Sequence, residues 1–293
     1  MSDKRNLTPY LLLIVLALIW GTSFILIKKG LVSFSSSEVA SLRVVSAAFF
    51  LLPLGLTKLR GLQSKDFGKL FLSGMVGIFI PSFLFAYAQT QIESSIAGVM
   101  NSLTPIWTMI VGAVIFTQRF RGYAILGTLI GFGGSIILIT SNAEGGLGQL
   151  NGYAFYIIIA TLMYGFNLNL IKYKIEHLRS STITAVSVLL IGPFALIYLF
   201  GFTDFAHKLV TVEGAWISFG YVATLGLMST AVAVVLFNRL VKTHSPLFAS
   251  SVTYIMPIVS VMWGVLDGER LYVGHYVGMA AIIGGVYLAN RKK

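Results

Sequence analysis

The sequence predicts an all-α integral membrane protein: ten transmembrane helices arranged as two inverted five-helix repeats. Three observations predict it. Hydrophobic residues make up 56% of the 293 positions and charged ones only 11%, against roughly 25% charged in an average soluble domain. Apolar runs of about 20 residues, the length a helix needs to cross the hydrocarbon layer, recur almost without pause. The second half of the chain also echoes the first. Alternation with a period of two, the mark of a membrane barrel, is absent, so a helical bundle is the spanning solution that satisfies the backbone.

Ten runs qualify as spans. Span 1, residues 10–28, is retained rather than cleaved as a signal peptide, because Trp20-Gly21 and Lys28-Lys29 end it and no small-x-small cleavage pattern follows. Span 2 (38–57) opens at Glu38 and carries the one intramembrane arginine, Arg43; span 3 covers 67–88. Span 4 (94–117) is charge-free yet holds Asn101, Thr104, Pro105 and Thr108. Span 5 (123–140) contains Gly127 and Gly131 four residues apart, and residues 144–151 form a glycine-rich linker. Spans 6 to 8 follow at 152–171, 181–201 and 215–238, span 9 (246–266) carries Pro257, and span 10 (272–290) has Gly278 four residues after Gly274.

A net charge of +11 would point to nucleic acid in a soluble protein. Its distribution points instead to membrane topology. With a cytoplasmic N-terminus, the two tails and the even-numbered loops hold 16 of the 21 Lys and Arg, and only Lys28, Lys29, Lys208 and Arg270 fall opposite. That is the positive-inside pattern for ten spans with both termini in the cytoplasm. No cysteine is present, and His177, His207, His244 and His275 lie at loops or span ends without ligand-like spacing. Neither a metal site, a catalytic triad nor a cofactor motif is predicted.

The internal repeat organises the rest. A shift of 152 residues aligns 74–134 with 226–286 without a gap, matching Phe85 to Phe237, Pro105 to Pro257 and Gly133 to Gly285. A shift of 144 matches Trp20-Gly21 to Tyr164-Gly165. Domains are thus expected at 1–143 and 152–293, joined by the linker at 144–151. Five spans per unit is an odd number, so the second unit lies upside down relative to the first, the arrangement of secondary transporters with substrate held near the midplane.

Asn101, Thr104, Pro105, Thr108 and Gly112 share one helical face, as do Thr253, Met256, Pro257, Ser260 and Gly264. A polar stripe does not face lipid. Two readings stay open: close helix packing with interhelical hydrogen bonds, or a cavity wall in which Pro105 and Pro257 act as hinges or gates. Further candidates for a substrate-binding wall are Trp20 and Ser23 on span 1, their mates Tyr164 and Asn167 on span 6, Tyr87 beside Phe83 on span 3, Trp107 on span 4, Asn238 on span 8 and Tyr254 on span 9. The alternative for each aromatic is interface anchoring or packing.

Arg43 lies five residues beyond Glu38, about 7–8 Å below the membrane boundary at the helical rise. Pairing with Glu38, Glu93 or a helix-end carbonyl competes with binding a substrate carboxylate. All ten carboxylates fall at tails, loops or span ends. Proton-coupled carriers commonly alternate the protonation of a buried Asp or Glu, so a gradient-driven facilitator or weakly coupled exporter is expected. The glycine pairs of spans 5 and 10 suit tight packing, with a dimer contact as the alternative.

The segments EVASLRVVSAAFFLLPL, AQTQIESSIAGVMNSLTPIWTMIVGAVIF and its echo SPLFASSVTYIMPIVSVMWGVLDGERL resemble the two EamA repeats of the drug/metabolite transporter superfamily. The resemblance covers nearly the whole chain. It implies a five-plus-five bundle with a central cavity and the movement of small metabolites, often export of amino acids or related compounds. The pattern also carries arginine at the position of Arg43. The Gly268–Leu271 ending of the second repeat is Phe116–Arg119 in the first, a departure from equivalence. The expected partners are a small-molecule substrate and membrane lipid, with no nucleic acid, in a monomer rather than a dimer of a bacterial inner membrane. An uptake permease of the same fold, or a membrane-embedded lipid-modifying enzyme, is the alternative; the enzyme would need clustered His, Asp or Glu near one face.

Overall fold

A computed structural model describes residues 7–141, 152–266 and 272–290, and these are helical without a strand among them. The expected linker at 144–151 and the Gly268–Leu271 ending lie outside the described residues. Seven segments are long and apolar enough to cross a membrane: Thr8–Gly30, Ser36–Leu59, Ser64–Ala88, Ile96–Val114, Ala154–Lys174, Ser180–Gly201 and Ala215–Thr243, which are spans 1 to 4 and 6 to 8. The remaining expected spans, 5, 9 and 10, appear as shorter apolar helices at Gly122–Leu138, Pro246–Val259 and Val273–Ala289. Large apolar side chains such as Ile14, Phe49, Leu129, Ile197 and Ile283 project outward from the bundle, as a lipid-facing surface requires.

Local chemistry sets the helix starts. Span 2 begins with a capping box, in which the Ser35 amide donates to Glu38 Oε2 at 2.7 Å and the Glu38 amide to Ser35 Oγ at 3.4 Å. Span 9 starts with Ser245 Oγ accepting from the Phe248 amide at 3.0 Å and with Pro246 in the first turn, where its missing N–H costs nothing. A short helix, Phe205–Thr211, bridges spans 7 and 8 on the face opposite the chain tails.

Spans 1, 3, 4, 6, 8 and 9 surround the centre, with span 1 packed on spans 8 and 9 and span 6 on spans 3 and 4. Spans 2 and 7 pack together, as do spans 5 and 10. The last pair meets backbone to backbone: a methyl built on Gly127 would sit 2.7 Å from the Gly285 carbonyl oxygen, and one on Gly134 would sit 2.8 Å from the Ile282 nitrogen. Only glycine permits that approach. These glycines are therefore consumed inside one chain.

Four of the six central spans are irregular. Span 3 carries a π-helical segment at Met75–Phe79 and span 8 one at Leu225–Val232. The shift of 152 residues superimposes the first on the second. Span 4 changes from α-helix to 3₁₀-helix at Asn101–Leu103 and resumes at Thr104, and span 9 is interrupted at Ser251. Both breaks precede the prolines. Pro105 removes the amide that would bond the Asn101 carbonyl, and the Thr104 hydroxyl donates to that oxygen instead at 2.8 Å.

Apolar clusters drawn from both repeats pack around the middle of the bundle. On the tail side, Leu13 and Leu70 of the first repeat join Ile175 and Leu240 of the second. On the far side, Phe34 and Val39 join Phe205 and Val222. Each face also has a buried carboxylate bonded across the repeats: Asp66 to His177 at 3.1 Å on the tail side, and Glu38 to Lys208 at 2.8 Å on the far side.

Candidate functional site

A central cavity lies where the two repeats meet, its wall sharing Phe24, Phe85, Leu168 and Met256 with the first apolar cluster. The empty space between its walls, including the part open to solvent, is ≈ 860 Å³. Its walls follow the repeat. Trp20, Ser23 and Phe24 line it, as do Tyr164, Asn167 and Leu168, their mates at the shift of 144. At the shift of 152, Gly77 pairs with Ser229, Ile78 with Thr230, Ser82 with Val234, Phe85 with Phe237, Asn101 with Thr253 and Thr104 with Met256. These nine pairs supply eighteen of the twenty-one lining residues. A cavity between two copies of one unit related by a two-fold axis has this property, whereas a chance cleft would not.

The irregular helix segments build this wall. Gly77, Ile78, Ser229 and Thr230 belong to the π-helical segments, a helix form found frequently at functional sites. The Ser229 carbonyl accepts from Trp20 Nε1 at 2.9 Å, and Ser229 Oγ lies 2.6 Å from Ser23 Oγ. The mates of Ser23 and Ser229 also touch, but differently: the larger Asn167 amide rests on the bare backbone of Gly77, with Asn167 Oδ1 accepting from Ser73 Oγ at 2.7 Å. Asparagine on one side thus goes with glycine on the other. Aromatic rings complete the surface, with Trp20 edge-on to Phe237 at 4.8 Å and Phe85 stacked on Tyr164 at 6.0 Å.

Arg43, half-buried, is the one charged lining residue. Its Nε donates to Thr230 Oγ1 at 2.8 Å, and the other guanidinium N–H groups have no protein partner among the described residues. The sequence-based pairing with Glu38 is not observed. Five residues along a helix rotate the side chain by about 140°, and Glu38 is held by the Ser35 amide and by Lys208. Glu93 is exposed at the start of span 4. Among the described residues no carboxylate lines the cavity.

Of the eleven wall residues expected from sequence, the cavity brings together Trp20, Ser23, Arg43, Asn101, Thr104, Tyr164, Asn167 and Asn238. Tyr87, Trp107 and Tyr254 lie elsewhere. Tyr87 is two residues from Phe85, on the opposite side of span 3, and packs on Tyr153 and Tyr156 with 41% of its surface exposed. Trp107 sits at the crossing of spans 4 and 6, where its backbone bears on Gly165. Tyr254 turns from the cavity toward span 5, donating its hydroxyl to the Thr128 carbonyl at 2.9 Å, while its neighbour Thr253 faces inward. Pro105 and Pro257 are buried beside the wall without lining it.

The polar stripe of span 4 divides in two. Asn101 and Thr104 face the cavity, whereas Thr108 packs on span 6, its carbonyl accepting from Asn169 Nδ2 at 3.0 Å. Sequence reasoning did not single out the π-segment residues Gly77, Ile78, Ser229 and Thr230. The repeat shift supplies Thr253 and Met256 as the mates of Asn101 and Thr104, and both line the cavity, but nothing in the residue pattern marks a π segment. Among the described residues no cluster of His, Cys, Asp and Glu could hold a metal ion.

The EamA-like transporter family matches residues 7–140 and again 151–291. An uncharacterized transporter of Archaeoglobus fulgidus is 24% identical over 96% of this chain and 99% of its own length. The uncharacterized inner membrane transporter YedA of Escherichia coli K12 is 25% identical over 99% of this chain and 93% of its own. A probable amino-acid metabolite efflux pump of the same strain is 23% identical over 98% and 95%. One solved crystal structure shares the fold with a TM-score of 0.73, at 17% identity over 96% of each chain. The two matched segments together span nearly all of the sequence, and the chain belongs to the EamA-like transporter family.

Proposed function

We propose that this protein is a secondary transporter that exports small metabolites, amino acids or related compounds of aromatic or apolar character, by alternating access around the central cavity. The observation that carries this reading is the pairing of wall residues: nine repeat-related pairs line one space where the two repeats meet. Opening one side of the bundle while the other stays closed exposes the same wall to one side at a time. The hinges are the helix breaks before Pro105 and Pro257. Similarity to a probable amino-acid metabolite efflux pump supports the direction and the solute class.

The site lies at the midplane of two domains, residues 1–143 and 152–293, in a monomer of a bacterial inner membrane with both termini in the cytoplasm. Proton coupling through a central carboxylate is not part of the reading, since among the described residues no carboxylate lines the cavity. The gradient of the solute itself drives net flux.

The test compares extracellular metabolites of cells lacking and overproducing the protein, followed by uptake of the strongest hit into proteoliposomes with and without a pH gradient. Export that rises with expression, and flux that needs no pH gradient, support the proposal. Flux unchanged by both Asn101→Ala and Asn167→Ala would remove the assigned wall.

A further inference from the structure

The polar groups that the cavity leaves unused include one cation and, among the described residues, no carboxylate. The wall hydroxyls are largely turned back onto the protein: Ser82 donates to the Ile78 carbonyl at 2.6 Å and Thr253 to the Ser250 carbonyl at 2.9 Å, while Ser23 and Ser229 bond each other. The Asn101 carbonyl freed by Pro105 is taken by Thr104. Among the described residues, what remains without a hydrogen-bond partner is the terminal guanidinium N–H groups of Arg43, Asn167 Nδ2, the Tyr164 hydroxyl, which can donate or accept, and one neutral acceptor, Asn238 Oδ1. The buried carboxylates Glu38 and Asp66 stand at opposite faces of the membrane, outside the cavity and already bonded.

We infer that the cavity selects organic carboxylates with an apolar or aromatic body and no charged amine, in preference to zwitterionic amino acids. This rests on the transporter reading and sharpens its solute class. A carboxylate entering the cavity exchanges water for a cation and neutral donors, the pairing that guanidinium geometry favours. The ammonium of an amino acid, entering with it, gives up its hydration and finds no carboxylate, and it shares a low-dielectric space with Arg43 of like charge. The aromatic walls could hold an amine by cation–π attraction, but the same walls serve the ring of a carboxylate equally, so they do not reverse the preference. The body of the solute lies against Phe24, Phe85 and Phe237.

Three compounds with one ring and one chain length separate the charges: 3-phenylpropionate, L-phenylalanine and phenethylamine. Binding to the purified full-length protein is read by quenching of its tryptophan fluorescence, because the uncharged acid crosses bilayers unaided and would blur a flux assay. The expected order is 3-phenylpropionate at least tenfold tighter than L-phenylalanine, with phenethylamine weakest. Arg43→Lys keeps that order, and Arg43→Gln brings the first two within threefold of each other; gel filtration and thermal unfolding establish that each variant is folded. L-phenylalanine binding as tightly as 3-phenylpropionate, phenethylamine binding best, or no binding by any of the three overturns the inference. Those results leave the transporter reading standing wherever metabolite export still follows expression, so the two fail separately.

Discussion

Gly77→Ala tests whether the Asn167 amide is seated on bare backbone. A methyl at this position would meet Asn167 Nδ2 in direct overlap and lie 2.7 Å from Asn167 Cγ. Asn167 would have to leave, breaking its bond with Ser73. Overpacking costs about 1–3 kcal/mol and the lost neutral hydrogen bond about 1 kcal/mol, so Gly77→Ala should destabilise by about 2–4 kcal/mol. Asn167→Ala removes every atom the methyl would strike, and in that background alanine over glycine in a helix gains up to ~1 kcal/mol. The double-mutant cycle should therefore return a coupling of at least about 2 kcal/mol, large for a pair in contact. Unfolding in mixed detergent micelles, followed by tryptophan fluorescence, measures all four corners. Coupling below about 0.5 kcal/mol would mean that the two residues do not meet and that the paired wall is wrongly drawn.

Three other outcomes follow from the same geometry. Gly127→Val should cost more than about 3 kcal/mol in the same assay, because the added carbon meets the backbone of Gly285 and Ala289 and cannot be relieved by a rotamer change; Gly133→Ala, with open space around it, should be neutral or stabilising by up to about 1 kcal/mol. Lys208→Ala strands the Glu38 carboxylate, which is 1% exposed; breaking a buried pair costs about 3–5 kcal/mol, and here about half of that, since Lys208 is itself 30% exposed and the Ser35 amide stays. Adding Glu38→Gln should recover part of the loss, which thermal unfolding would register. Alkaline phosphatase fusions should be active after residue 32 and inactive at the C-terminus; equal activity at both ends of that comparison would refute the proposed orientation.

Much of the architecture was legible because bilayers leave few options: run length marks the spans, and the order of prolines and glycines in each half marks the repeat. The wall residues on spans 1 and 6 were legible for the same reason, since Trp20 and Ser23 recur as Tyr164 and Asn167. Tyr87, Trp107 and Tyr254 went to other surfaces because side-chain chemistry alone does not say which way a helix is turned; Tyr254 and Thr253 are adjacent, and only one of them lines the cavity. The π segments at Met75–Phe79 and Leu225–Val232 left no trace in composition. Arg43 was found from its charge, but its neighbour Thr230 lies 187 residues away and belongs to one of those segments.

The seam between spans 5 and 10 has a mechanical consequence. Atoms already in main-chain contact cannot slide over one another without steric collision, nor separate without opening a void in the lipid-facing wall. The seam also joins one half of the molecule to the other. Main-chain contacts of the same kind, Gly74 on the Ser187 carbonyl and Gly165 on the Thr108 nitrogen, join the halves elsewhere, so any relative motion of the two repeats has to leave these bare-backbone seams intact or break them together.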